Sequence, residues 1–359
     1  MKGLEISKAY YKEFGEPMLK EKFSEIIPYI ATGVFGSGSE CFGFDDDVSR
    51  DHDFDPGFMV LLPGEDLVDR KQEFALERAY AALPKEFMGV KRPAMSPVGG
   101  NRRGVIRTAE YFSEKVGALV GALGIGDVVA GHATAEASSS DTAAAGMTDV
   151  ATNSALWLST PSYALAEAVN GEVFFDGLGE VTRIREALKS YPDDVRKKKL
   201  AGHLLLMAQA GQYNYTRCIQ HGENAAAQLA AIEFARNTMS AIFLLNETYE
   251  PFYKWSFRAM RNLPKLSLTA ELLEYLITTD NEGPSMAAGS GQSAEESGEG
   301  SLAQDKYDVV EGIAADVIDE LIAQGLTKAN CGDLEKHAYS VNDGIADSEL
   351  RNRHILAGI

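Results

Sequence analysis

Residues 34–58 read VFGSGSECFGFDDDVSRDHDFDPGF, and the rest of the chain is best read outward from them. A short apolar run ends at Gly36-Ser37. Thirteen residues follow, and then comes Asp51-His52-Asp53 ahead of another apolar run. In an extended strand successive side chains alternate faces, so Asp51 and Asp53 share one face and His52 takes the other. Two neighbouring carboxylates repel each other unless a divalent cation sits between them. Oxygen donors of this kind suit Mg²⁺, which is commonly held by one or two carboxylates together with substrate phosphates. The Gly-Ser turn upstream leaves backbone N–H groups and a hydroxyl able to approach a phosphate.

The flanking sequence alternates helical and strand patterns. Apolar and charged residues at helical spacing over 5–30, with Pro28 near the end, predict a helix feeding a strand over 30–35. The run 58–62 (FMVLL) predicts a second strand, stopped by Pro63-Gly64. Residues 65–83 (EDLVDRKQEFALERAYAAL) predict an amphipathic helix, 104–108 a short strand, and 111–123 another helix. The resulting organisation is a first domain over 1–125 and a low-complexity insertion over 126–155. A helical bundle over 156–280, a flexible linker over 281–303 and closing helices over 304–359 that pack on the bundle complete it.

Composition narrows the function classes. A chain of 359 residues has room for two domains with real cores. No apolar run is long enough to span a bilayer, and the start, MKGLEISKAYYKEFGEP, lacks the apolar core of a secretion signal, so a cytoplasmic protein is expected. Cys41, Cys218 and Cys331 are odd in number and without CxxC spacing, which argues against a disulfide framework or a cysteine-built zinc site. A net charge of −19 argues against a general nucleic-acid surface and gives a long-range attraction for cationic small molecules. The basic run Arg196-Lys197-Lys198-Lys199 follows Pro192-Asp193-Asp194. It reads first as a solvated helix face behind an Asp cap, and second as a phosphate or partner contact. Asp45, Asp46 and Asp47 read as solvent-exposed loop acids, His52 as a structural histidine, Asp176 as a turn or cap residue, and Trp255 as core.

The apolar–Gly36-Ser37…Asp51-x-Asp53 arrangement resembles the nucleotidyltransferase superfamily of DNA polymerase beta and the aminoglycoside nucleotidyltransferases. The segments GSGSECFGFDD, SRDHD, GEVFFDGLGE at 171–180, YEPFYKW at 249–255 and LEKHAYSVNDGIADSELRNRHIL at 334–356 look like a bacterial branch of it. The resemblance implies an α+β protein: an N-terminal nucleotidyltransferase-type mixed sheet with flanking helices, plus a C-terminal helical bundle that packs across it and encloses an acceptor site. It implies Mg²⁺-dependent transfer of a nucleoside monophosphate from an NTP, ATP in the first place, to a hydroxyl of a small-molecule acceptor such as an aminoglycoside-like metabolite or antibiotic. Asp51 and Asp53 would hold the metal, two ions being expected, and Ser37 with the backbone of Gly36 and Gly38 would clamp the terminal phosphates. Ser39 would add a hydroxyl, and Arg50 and Lys254 would reach phosphate charge. For a third carboxylate the resemblance points to Glu110, just past the strand over 104–108, with Glu65 and Asp66 also open. Glu247 or Glu250 would serve as base. Two alternatives stand beside this: a nucleotide-binding regulatory or antitoxin-like protein with weak or no turnover, and nucleotidylation of a protein target.

Overall fold

The computed structural model describes residues 2–46, 55–92, 103–122, 153–282 and 302–359. The chain divides into two compact units, Met1–Ser190 and Tyr191–Ile359.

The first unit opens with helix α1 (Gly3–Tyr10), passes through one wide π turn (Tyr11–Gly15) and continues as α2 (Glu16–Lys22). Strands β1 (Ala31–Val34) and β2 (Met59–Leu62) fall where their apolar runs predict them. Helix α3 (Arg70–Ala81) begins later than its periodicity suggests. Asp69 is its N-cap, and Asp69 with Gln72 closes a capping box. A small hairpin follows, β3 (Glu86–Phe87) and β4 (Val90–Lys91), turning through Met88 and Gly89, both at positive φ. Then come β5 (Gly104–Arg107), α4 (Thr108–Val116), α5 (Leu119–Ala122), α6 (Ser154–Ser159), α7 (Ser162–Val169), β6 (Glu172–Asp176) and α8 (Glu180–Ala187).

The four-stranded sheet has the order β5-β2-β1-β6. It is mixed, because β1 is antiparallel to β2 and β6 while β2 is parallel to β5. The central strands, ATGV and MVLL, are buried along their whole length, as strands covered on both faces must be. Phe58, Val60 and Leu62 alternate into a core with Tyr10, Tyr11, Leu19, Leu76 and Tyr80. The pairings Val34 with Glu172, Gly33 with Met59 and Met59 with Gly104 gather four chain positions at one end of the sheet. These are the exit of β1 and the entries of β2, β5 and β6.

One boundary differs from the expected organisation. The sequence pattern starts the bundle at 156, yet α6, α7, β6 and α8 belong to the first unit, because β6 zips onto β1 from Ala31 to Val34. Most of the insertion expected over 126–155, and of the linker over 281–303, lies outside the described residues.

The second unit is helical among its described residues. Helix α9 (Asp193–Met207) runs through a π segment (Ala208–Tyr215) into α10 (Thr216–Gln220). It is followed by α11 (Asn224–Leu245), α12 (Tyr253–Met260), α13 (Thr269–Thr278), α14 (Leu302–Ala323), α15 (Leu334–Asp343) and α16 (Ser348–Asn352). Helix α9 packs on α11 and α15, and α13 packs on α11. The basic run on α9 is not a solvated face. Arg196 and Lys197 pair with Asp193, but Lys198 is fully buried and donates to Asn342 Oδ1 (2.8 Å) and the carbonyls of Arg351 (3.3 Å) and Arg353 (2.7 Å). Lys199 donates to the Gly358 carbonyl (3.0 Å), and burial lowers its pKa to about 8. Two ammonium groups therefore bind the carbonyls around and beyond α16, a role open to lysine near helix C-termini. Among the described residues no helix is long and apolar enough to cross a membrane.

Candidate functional site

The turn leaving β1 is shaped from both sides. Gly36 sits at φ +111°, and a Cβ there would come within 2.8 Å of the Tyr111 hydroxyl on α4, so only glycine fits. Asn170, just before β6, clamps the same residue reciprocally. Its Nδ2 donates to the Gly36 carbonyl (2.8 Å), and its Oδ1 accepts from the Gly36 N–H (2.8 Å). Gly171 N–H donates to the Cys41 carbonyl (2.9 Å). Gly171 itself is at φ +63°, with Val34 O only 2.1 Å from where a Cβ would stand. Past Gly36 the chain makes a 3₁₀ turn (Glu40–Phe42) and leaves it through Gly43 in the left-handed region.

Within this turn the backbone donors are divided. Gly38, Cys41, Phe42, Gly43 and Phe44 donate inward to turn carbonyls. Among the described residues nothing accepts from the N–H of Ser37, Ser39 or Glu40, or bonds the hydroxyls of Ser37 and Ser39. Ser37, Gly38 and Ser39 are partly exposed. Neighbouring N–H groups without internal partners on a tight turn can serve an anion.

The neighbouring side chains fix this end of the sheet. Glu40 and Arg103 form a buried ion pair. Asp55 accepts from Gly57 N–H (2.7 Å) and lies 3.7 Å from Arg92. The Tyr80 hydroxyl donates to the Phe58 carbonyl (2.7 Å) and accepts from the Phe58 N–H (3.0 Å), and burial pushes its pKa above the ordinary phenol value. Burial raises Tyr111 in the same way. Helix α1 holds the chain on both sides of residues 47–54: Gly3 N–H donates to Asp45 Oδ2 (2.8 Å), and Ser7 Oγ donates to the Asp55 carbonyl (3.3 Å). Asp45 is thus buried and occupied at a helix N-terminus, not the solvent-exposed acid its sequence neighbourhood suggests.

Of the expected site residues, Gly36, Ser37, Gly38 and Ser39 come together on this turn. Arg50, Asp51, His52 and Asp53 lie outside the described residues. Glu110 is not brought to the turn. It is exposed in the first turn of α4, past the far end of β5, and its charge acts on Arg70. Glu65 pairs with Arg70 (2.7 Å), and Asp66 is exposed beside it. Asp176 stands beside Ala31 at the opposite end of the sheet and accepts from Thr182 N–H (2.8 Å) at the start of α8, a capping role. In the second unit Lys254 is exposed, its ammonium 5.3 Å from the ring of Trp255, which is only partly buried. Glu247 is exposed, 3.8 Å from Arg196. Glu250 accepts from Ser240 Oγ (2.6 Å), and burial raises its carboxyl. Among the described residues no three metal-ligating side chains cluster.

Asn170, Gly171, Glu40 and Arg103 shape the turn and were not singled out from sequence. The one local signal was Asn-Gly directly ahead of an apolar run, a turn marker that names no partner.

A family model described as a domain of unknown function, DUF4037, matches residues 157–256, a span that includes Asn170 and Gly171. No curated protein and no solved structure matches the chain.

Proposed function

We propose that the first unit binds the phosphates of a nucleoside triphosphate on the turn over 36–40 and transfers the nucleoside monophosphate to a hydroxyl of a small-molecule acceptor. The observation that carries this reading is the set of three N–H groups and two hydroxyls on this turn that bond nothing among the described residues, with Ser37, Gly38 and Ser39 partly exposed. That turn lies at the sheet end where β2 enters, and the Asp51-x-Asp53 segment precedes β2. In this reading Ser37 and Ser39 orient the terminal phosphates, and the backbone amides take up charge as pyrophosphate leaves. Asp51 and Asp53 supply the oxygen donors that Mg²⁺ prefers, and the metal, when bound, neutralises phosphate charge.

A second reading is nucleotide binding without turnover. It is favoured by the carboxylates at this sheet end: among the described residues Glu40 and Asp55 are both engaged by arginines, and Glu110 is elsewhere. One experiment separates the two. The full chain is incubated with each NTP, Mg²⁺ and a library of hydroxylated metabolites, and pyrophosphate is followed. Acceptor-dependent release, abolished in Asp51→Asn and Asp53→Asn, is the expected result. Saturable nucleotide binding with no release for any acceptor moves the assignment to the second reading, and no binding at all removes both.

A further inference from the structure

The phosphate turn is tied to the sheet by one buried pair of opposite charges. The Glu40 side chain folds back beneath its own turn, where a Cβ on Gly38 would stand 2.5 Å from its Oε2. Its other oxygen meets Arg103 Nη2, and the two side chains are 7% and 6% exposed. Arg103 is the residue before β5, whose first N–H, on Gly104, donates to the Phe58 carbonyl (3.0 Å) at the entry of β2. Arg103 also lies in the field of Asp55 and Cys41. Removing Arg103 leaves the Glu40 carboxylate buried without its cation, and removing Glu40 takes a directly bonded carboxylate from Arg103, so the turn cannot shift without dragging the β5 entry or breaking the pair. Glu40 also carries one of the three N–H groups that bond nothing among the described residues, and its carbonyl accepts from Gly43 N–H (3.2 Å) in the same turn.

We infer that Glu40 and Arg103 are a positioning pair for phosphate binding, acting through the turn and touching no substrate themselves. This rests on the phosphate-binding reading above and adds to it the residues that set the cradle's geometry. A pair of this kind acts as one unit, so its two members are coupled and their effects are not additive. A direct phosphate ligand at Arg103 would behave differently: releasing it from Glu40 would strengthen binding.

The test is a double-mutant cycle on the full chain, Glu40→Gln, Arg103→Gln and the combination, titrated by calorimetry with Mg²⁺·ATP and with Mg²⁺·tripolyphosphate. The doubly neutral variant keeps two hydrogen-bonding amides in place of the charges, and thermal melts confirm folding at the titration temperature. The expected result is binding weakened roughly ten- to a hundred-fold in each single variant, as for a small displacement of a positioned group. The loss is to be the same for ATP and tripolyphosphate and no greater in the combination, with Arg103→Lys recovering part of it. Tighter binding by Glu40→Gln, additive losses, or folded variants with wild-type affinity would overturn the inference while leaving the phosphate-binding reading in place. A wild-type chain that binds neither ligand takes down both.

Discussion

The turn after β1 and the buried lysines of the second unit are both dense in hydrogen-bond donors, and they dispose of them in opposite ways. Lys198 and Lys306 are fully buried, and each ammonium has three acceptors. For Lys306 these are Gln228 Oε1 (2.8 Å), the Thr279 carbonyl (2.9 Å) and Asn281 Oδ1 (2.8 Å). A buried polar group costs free energy unless its bonds are made, so these lysines are satisfied and structural. On the turn, glycines, a reciprocal asparagine clamp and an ion pair hold the backbone, yet the N–H groups of Ser37, Ser39 and Glu40 bond nothing among the described residues, and Ser37 and Ser39 are partly exposed. Rigidity without saturation is what a binding site needs, and it distinguishes the turn from the lysines despite similar polarity.

That distinction breaks most visibly at Lys306. Lys306→Met leaves three acceptors without their donor, and the melting transition should drop by the equivalent of about 3 kcal/mol or more while nucleotide affinity stays at the wild-type value. Affinity falling in step with stability would erase the contrast.

Titration gives the next largest effect. Burial holds the pKa of Lys199 and of Lys306 at about 8, below the ordinary lysine value of 10.5. Between these values the unfolded chain binds the proton and the folded chain does not, so unfolding free energy rises with pH from about 8 toward 10.5. The gain is bounded at about 3 kcal/mol per lysine. Below pH 8 both states are protonated, and the cost of burying the charge is present in full. Denaturant titrations at stepped pH check the sign: stability that falls between pH 8 and 10, before the tyrosines ionise, would contradict it.

Asn170→Ala comes next in size and acts on the turn itself. It deletes both bonds to the Gly36 backbone, so a stability loss of about 2 kcal/mol and a weaker phosphate affinity should appear together, read by melts and by calorimetry.

What was legible in the sequence follows the range of the forces involved. Strands 31–34, 59–62 and 104–107 were readable because short apolar runs bounded by Gly or Pro are local signals. The apolar run at 172–176 forms β6, but its partner β1 lies far back in the chain, and no periodicity encodes that pairing. The same limit hid Asn170 from Gly36 and Arg103 from Glu40. The burial of Lys198 and Lys199 is hidden for a related reason: next to Asp193 they look solvated, and the carbonyls they bind come from residues beyond 350. Asp45 looked like one of three loop acids until Gly3 supplied its donor. The Gly-Ser turn itself was legible because Gly36, Ser37, Gly38 and Ser39 are consecutive, whereas the Tyr111, Asn170 and Arg103 contacts that hold it are not.

The smallest structural perturbation should carry a clear functional effect. Ser37→Ala and Ser39→Ala remove hydroxyls that bond nothing among the described residues, so stability should move by less than about 0.5 kcal/mol. Mg²⁺·ATP should nonetheless bind about ten-fold more weakly when both are changed, the worth of one good hydrogen bond to a charged group.

The most direct measurement is amide chemical-shift titration of ¹⁵N-labelled full chain with Mg²⁺·tripolyphosphate. The N–H resonances of Ser37, Ser39 and Glu40 should move together and saturate at one dissociation constant, with the side-chain ammonium environment of Lys306 unchanged. Shifts confined to other residues, with those three amides still at saturation, would contradict the assignment of this turn as the phosphate cradle.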